Sequence, residues 1–152
     1  MWTFEHSVEC KADRRFAWQF WTNVGNWAVV DSSVESVSLD GPFRSGAKGH
    51  TKPLGRELIE WHLDDAQDER SAVFIIPVPG AALQFAWRFE DSETGGTRMT
   101  QRATLEGDRA QDYILTVARE LEYGIPQGMQ KLAQAIEQAA VGSALGRWLC
   151  PF

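Results

Sequence analysis

Hydrophobic and polar residues alternate without a break at the start of the chain. Over residues 2–10, Trp2, Phe4 and Val8 fall on one side of an extended segment, and the other side consists of polar residues at positions 3, 5, 7 and 9. Side chains of a strand point alternately to its two faces, so this pattern predicts a half-buried strand. His6 falls on the apolar side of that strand.

A helical period follows directly. Within residues 13–21, Trp18 and Trp21 are three positions apart, which predicts a short helix with its large side chains on one face. Asn23 and Gly25 end it, and a second helical turn is predicted over residues 26–29.

Short apolar or alternating runs, separated by turn-forming residues, occupy the middle of the chain. They predict strands at residues 34–39, 46–52, 56–63, 72–76, 83–90 and 97–105. The charged run 64–69 is predicted to be a turn. The segment 77–80 is predicted to be a loop, because its two prolines cannot donate hydrogen bonds to a sheet. No helical period separates the later strands, so the sheet is predicted to be antiparallel, with the helices on one face.

One long amphipathic helix is predicted from about residue 108 to residue 140. Leu121, Ile125 and Met129 belong to an apolar stripe that recurs at steps of three or four residues. Such a helix needs a broad apolar surface beneath it, which the strands can supply. Pro126 lies inside the pattern and predicts a kink rather than a break.

The composition describes one globular domain. The 152 residues are 43% hydrophobic and 24% charged, and a chain of this length can bury a full core. We assign residues 1–140 to the domain and residues 141–152 to a C-terminal tail. The tail contains Trp148, Leu149 and Phe152, which would dock on the domain or on a second copy, so we expect a monomer or a homodimer.

The charge and the motif content disfavour several classes of function. A net charge of −6 disfavours nucleic acid and anionic membranes as partners. The absence of a long apolar run, of a secretory signal and of a cysteine framework predicts a cytoplasmic protein that is not integral to a membrane. The three histidines lack metal-ligand spacing, and no nucleotide-binding loop is present, so neither a metal nor another cofactor is expected.

Three short motifs occur in a characteristic order. They are Asn26-Trp27 ahead of Asp31, the segment 39–43, and the segment 95–100. Together they resemble the START-like, or Bet v 1-like, helix-grip superfamily, and within it the polyketide cyclase/dehydrase-like (SRPBCC) proteins. The resemblance covers residues 2–140.

The resemblance implies an α+β fold with an internal cavity. A curved antiparallel sheet of about six to seven strands would wrap around the long C-terminal helix, with two short helices after the first strand. The implied function is binding of a small hydrophobic molecule such as a lipid, a polyketide or a quinone. The family offers no catalytic residue common to its members.

The faces predicted to look inward supply the candidate ligand-binding residues. These are Trp2, Phe4, His6, Trp61, Phe85, Trp87, Met99, Gln101, Leu121, Ile125 and Met129. Gln101 could orient a ligand hydroxyl or carbonyl group, or bond to a buried neighbour. His6 is the best catalytic candidate, because an imidazole exchanges a proton near neutral pH. It could equally be a core histidine bonded to its neighbours.

Three functions follow. The first is a binding module for a small hydrophobic ligand. The second is an enzyme of the polyketide cyclase or dehydratase type, which needs a polar group such as His6 in the cavity. The third is an interaction or scaffold protein that dimerises through its tail.

Overall fold

Seven strands and three helices form the part of the chain that the structure, a computed structural model, describes. This part covers residues 1–149, with side chains described through residue 142. The strands are β1 (Trp2–Cys10), β2 (Val34–Leu39), β3 (Lys48–Pro53), β4 (Ile59–Gln67), β5 (Ser71–Val78), β6 (Ala81–Asp91) and β7 (Thr97–Glu106). The helices are α1 (Arg14–Thr22), α2 (Gly25–Val30) and α3 (Gln111–Leu149).

All seven strands belong to one antiparallel sheet in the order β1-β7-β6-β5-β4-β3-β2. The last strand therefore pairs with the first, and β1 and β2 form the two edges. Register shifts at Val34/Ser36 and Leu63/Asp65 introduce local bends. The curved sheet with its long C-terminal helix confirms the predicted α+β helix-grip fold.

The helix α1 starts where the sequence offers a good cap. The carboxylate of Asp13 accepts a hydrogen bond of 2.7 Å from the backbone N–H of Phe16 and so satisfies one free donor of the first turn. Trp18 and Trp21 lie on the face of α1 that packs into the core, and both are buried.

Two strands extend beyond their predicted ends. The predicted turn 64–69 is wrong over residues 64–67, because β4 continues to Gln67 and pairs with β5, and the turn begins only at residue 68. The pairing outweighs the weak strand propensity of a charged run. The predicted loop 77–80 is also wrong at its start, because Pro77 belongs to β5 and pairs with β6. Pairing between β4 and β5 stops at Ile75, so Pro77 has a strand neighbour on one side only, where proline is tolerated.

The long helix differs from its prediction at both ends. It begins at Gln111, so Asp108 lies in the preceding turn rather than at the cap, and it continues to Leu149 rather than ending near residue 140. The backbone of the predicted tail is thus helical through Leu149. The predicted docking of Trp148, Leu149 and Phe152 concerns side chains outside the described residues.

The core lies between α3 and the sheet. From α3, Met129, Leu132 and Ile136 are buried there, together with residues of the strands and of α1. The helix packs against the edge strand β1, and the indole N–H of Trp2 donates to a carboxylate oxygen of Glu122 on α3 at 3.1 Å.

A short segment of α3 is rich in poor helix formers. Pro126 lies inside the helix, which continues through it, between Gly124 and Gly128. Neither glycine has a positive φ, and a Cβ atom built on either would meet no other group within 4 Å. The two usual structural needs for glycine, an unusual backbone conformation and a close approach, are therefore absent at both positions. The predicted kink at Pro126 stays a prediction.

Gly124→Ala is expected to raise the free energy of unfolding by about 0.5–1 kcal/mol, because alanine loses less backbone entropy in a helix than glycine does. Chemical denaturation measures the change. Gly96→Ala is the contrast, because its Cβ atom would overlap the backbone carbonyl oxygen of Cys10, and it should destabilise the protein. Equal destabilisation by both changes would contradict the open surroundings of Gly124.

Candidate functional site

A cavity of about 440 Å³ lies between α3 and the inner face of the sheet. Its aromatic lining consists of Trp21, Trp27, Trp61, Phe74, Phe85 and Trp87. Its aliphatic lining consists of Val30, Ile76, Leu121, Ile125, Met129 and Leu132. The remaining lining residues are Asp31, Thr51, Gln101, Gly124 and Gly128. The three helices and the strands β3 to β7 all contribute to this lining.

The aromatic side chains form a wall in which every ring except that of Phe85 contacts another ring. The rings of Trp27 and Trp61 stack with centroids 5.5 Å apart and an interplanar angle of 27°. Phe74 meets Trp61 edge-on at 5.2 Å, and Trp21 lies 4.9 Å from Trp87. Offset and edge-on contacts of this kind stabilise by more than their buried area alone, so the wall holds its shape without a ligand.

Protein groups already satisfy two of the indole N–H groups in this wall. Trp27 donates to the backbone carbonyl of Trp21 at 2.7 Å, and Trp61 donates to the hydroxyl oxygen of Thr51 at 2.9 Å. These bonds fix the two rings and leave their apolar surfaces to line the cavity.

Glycine in β3 allows the Trp61 ring to take this position. Gly49 pairs with Trp61 across β3 and β4, and a Cβ atom on Gly49 would overlap the indole ring. The ring therefore lies across the bare backbone of β3.

Gln101 is the buried polar group of the cavity. It lies on β7 between His6 of β1 and Trp87 of β6, and only 9% of it is exposed. Its amide makes no hydrogen bond to another residue in the described part of the chain, and it borders the cavity rather than being enclosed by protein atoms. A buried amide without a protein partner is costly unless water or a ligand satisfies it.

Three lining residues are also exposed, and they mark the mouth of the cavity. Asp31 follows the last residue of α2, and one of its carboxylate oxygens accepts bonds from the backbone N–H and the hydroxyl of Ser33, at 2.9 and 2.6 Å. Gly124 and Gly128 lie on α3. The mouth therefore opens between the end of α2 and one face of α3.

The structure brings together most of the residues predicted to bind a ligand. Those that line the cavity are Trp61, Phe85, Trp87, Gln101, Leu121, Ile125 and Met129. The other four do not line it, although Trp2, Phe4 and Met99 face the core as predicted. The four are Trp2, Phe4, His6 and Met99.

The packing of the protein around α3 explains why these four residues do not line the cavity. The helix packs directly on β1, so the inward face of that strand contacts protein where the sequence suggested a ligand. Trp2 and Phe4 join the edge of the core, and Met99 is fully buried within it. His6 is half-buried on β1 and lies outside the lining. A general acid or base must lie within hydrogen-bond reach of the proton that it moves, so His6 is poorly placed to act on a molecule in the cavity.

Several lining residues were not predicted as such. The spacing of Trp21 from Trp18 predicts only a short helix, because the helical period does not tell which elements surround a side chain. Trp27 and Asp31 belong to one of the resemblance motifs, which gave them no role. Phe74 lies in a strand with apolar residues on both faces, so no alternation marked its inward side.

The described residues include no grouping of three or more His, Cys, Asp or Glu side chains that could hold a metal ion. Within the same part of the chain, no helix is long and apolar enough to span a membrane. His50 and His62 lie opposite Glu60 and Lys48 in the β3–β4 ladder, and neither lines the cavity.

Comparison with known protein families identifies the fold's relatives. The family described as polyketide cyclase/dehydrase and lipid transport matches residues 1–137, nearly the whole chain. This chain belongs to that family. No curated protein sequence matches the chain significantly.

Several solved structures share this fold at low sequence identity. Protein NE0264 from Nitrosomonas europaea superposes with a TM-score of 0.73 at 16% identity, covering 91% of this chain and 96% of its own. Ara h 8.0201 gives 0.70 at 15% identity, with coverage of 93% and 98%. The di-domain ARO/CYC protein StfQ from the steffimycin biosynthetic pathway gives 0.70 at 13% identity, covering 92% of this chain and 52% of its own.

Gly49→Ala is expected to lower the free energy of unfolding by roughly 1–3 kcal/mol, because the new methyl group must displace the packed Trp61 ring. Thermal or chemical denaturation measures the loss, and the fluorescence of the displaced indole should change with it. Gly25→Ala is the control, since its Cβ atom would make only an ordinary contact with Asn23. Equal stability of the two variants would argue against a fixed Trp61 ring.

The buried thiol of Cys10 gives a prediction about how stability depends on pH. Burial raises the pKa of its thiol above the ordinary value of 9.0, and the charge of Glu137 adds to the effect. The folded protein therefore holds the thiol proton more tightly than the unfolded chain does, so the free energy of unfolding should fall as the pH rises past 9.0. Denaturation across this range should show a smaller fall for Cys10→Ala. Identical pH dependence in both proteins would contradict the effect.

Proposed function

We propose that the protein binds a small, mostly apolar molecule in the cavity beneath α3. The ligand carries one hydrogen-bonding group, a carbonyl or a hydroxyl, which meets the Gln101 amide. The remainder of the ligand lies against the aromatic wall.

The size and the lining of the cavity support this function. Ligand sites in proteins are typically pockets of roughly 300–1,000 Å³, lined mainly by apolar side chains with a few polar groups. The volume of about 440 Å³ lies in this range, and six aromatic rings contribute to the wall. Core packing alone would fill such a space, since protein interiors contain few voids larger than a water molecule.

The unpartnered Gln101 amide is the observation that carries the proposal. An amide has two donors and an acceptor with two lone pairs, and none of these is used by a described protein group. Leucine or methionine would fill the same position without the cost of desolvating an amide. A polar ligand atom in the cavity would form the hydrogen bond that the amide lacks.

The relatives support the ligand class. The family is described by polyketide cyclases, dehydrases and lipid transport, and StfQ comes from the steffimycin biosynthetic pathway. A lipid, a polyketide or a quinone fits the same combination of apolar surface and a single polar group. The binding function is favoured over catalysis, because His6 lies outside the lining.

A direct test uses native mass spectrometry without detergent, together with a thermal-shift screen of lipids and aromatic ketones. Ligands that occupy the cavity should remain bound in a one-to-one complex and raise the melting temperature. A screen in which no apolar compound of suitable size binds would refute the proposed function.

Gln101→Leu should weaken binding of fluorenone by about tenfold, because one hydrogen bond of roughly 1.5 kcal/mol is lost. Binding of fluorene, which has the same rings without the carbonyl, should be equal or tighter. Titration of the intrinsic tryptophan fluorescence measures both affinities. Equal loss for both ligands would contradict the role of Gln101 as a polar anchor.

The stability of the same variant provides an internal control. Gln101→Leu should keep or raise the free energy of unfolding, because no protein hydrogen bond is lost. Thr100→Val should lower it by about 1 kcal/mol, since the Thr100 hydroxyl is buried and lies 2.8 Å from that of Ser7.

A further inference from the structure

Gly124 and Gly128 combine two properties that mark an opening. Both residues line the cavity, and both are exposed to solvent. They are four residues apart on α3, so they lie one above the other on the same face of the helix. At two successive turns of α3, therefore, the backbone both lines the cavity and is exposed to solvent. The cavity reaches the surface along this face.

The backbone does not require glycine at either position. Both have ordinary helical φ values, and a Cβ atom on either would point into open space. Glycine in a helix reduces stability, so a pair without a packing role needs another explanation. Side chains at these positions would stand in the mouth of the cavity.

The opposite side of the mouth is formed by the end of α2. Val30 and Asp31 line the cavity there, and α2 contacts α3. Deeper inside lies Gln101, which is 9% exposed and has no protein partner among the described residues. The opening between α2 and the two glycines therefore leads to a buried polar group that is free to bond.

We propose that Gly124 and Gly128 form the portal through which the ligand enters and leaves, and that their missing side chains set its width. This proposal rests on the proposed function, since it concerns access to the same cavity. It assigns to α3 a role in the rate of ligand exchange, distinct from the role of Ile125 and Met129 in the wall.

The kinetic test compares Gly124→Phe and Gly128→Phe with Gly142→Phe. Gly142 is a matched control, because it lies on the same helix, is exposed, has no group within 4 Å of a Cβ position and does not line the cavity. The probe is the neutral fluorophore N-phenylnaphthylamine, mixed with each protein in a stopped-flow instrument. Denaturation curves verify that all three variants fold.

The two portal variants should bind the probe at least about tenfold more slowly than the wild type, and Gly142→Phe should bind at the wild-type rate. Dissociation should slow together with association, because a narrowed portal hinders movement in both directions. Rates equal to those of Gly142→Phe would overturn the portal. Weaker affinity with unchanged association would also overturn it, since the phenyl ring would then occupy the ligand's space instead of the route to it.

A second measurement tests the portal without any ligand. Acrylamide quenches tryptophan fluorescence by collision, and four of the lining residues are tryptophans. Quenching should decrease in the two portal variants and stay unchanged in Gly142→Phe. If the wild type binds no apolar probe, the proposed function fails, but reduced quenching would still support the portal. Equal quenching in all proteins would overturn it.

Discussion

The aromatic contacts of Trp21 join the core of this protein to its cavity. The ring lies 5.5 Å from Trp18 and 5.1 Å from Phe89 on the core side, and 4.9 Å from Trp87 on the cavity side. It also meets Phe74 edge-on at 5.5 Å. One buried side chain of α1 thereby fixes the short helices on the sheet and supports the wall. The rings that shape the cavity are held in place by contacts with aromatic side chains of the core.

Features that oppose stability are concentrated around the same cavity. Gln101 lacks a protein partner, and Gly124, Pro126 and Gly128 weaken one segment of α3. The Asp13 cap of α1 is a local choice outside the cavity that agrees with the fold. Proteins commonly break local rules at functional sites and compensate by packing in the remainder of the structure.

The sequence predicted the fold well because alternation and helical period depend on burial alone. The inward sides of β6 and β7 and of α3 were identified correctly at Phe85, Gln101 and Ile125, all of which line the cavity. The same pattern cannot tell whether an inward side chain meets a ligand or another element. His6 illustrates this limit, since the packing of α3 on β1, a long-range contact, decides what lies above that strand.

The cavity combines a fixed anchor with a separate mouth. Gln101 lies on β7, which is paired along both sides, so its backbone position is set by two ladders of hydrogen bonds. The mouth is formed instead by the end of α2 and by the segment of α3 that contains Gly124 and Gly128. Recognition of the ligand's polar group and control of its access therefore reside in different elements, and a substitution at the mouth can change exchange rates without moving the anchor.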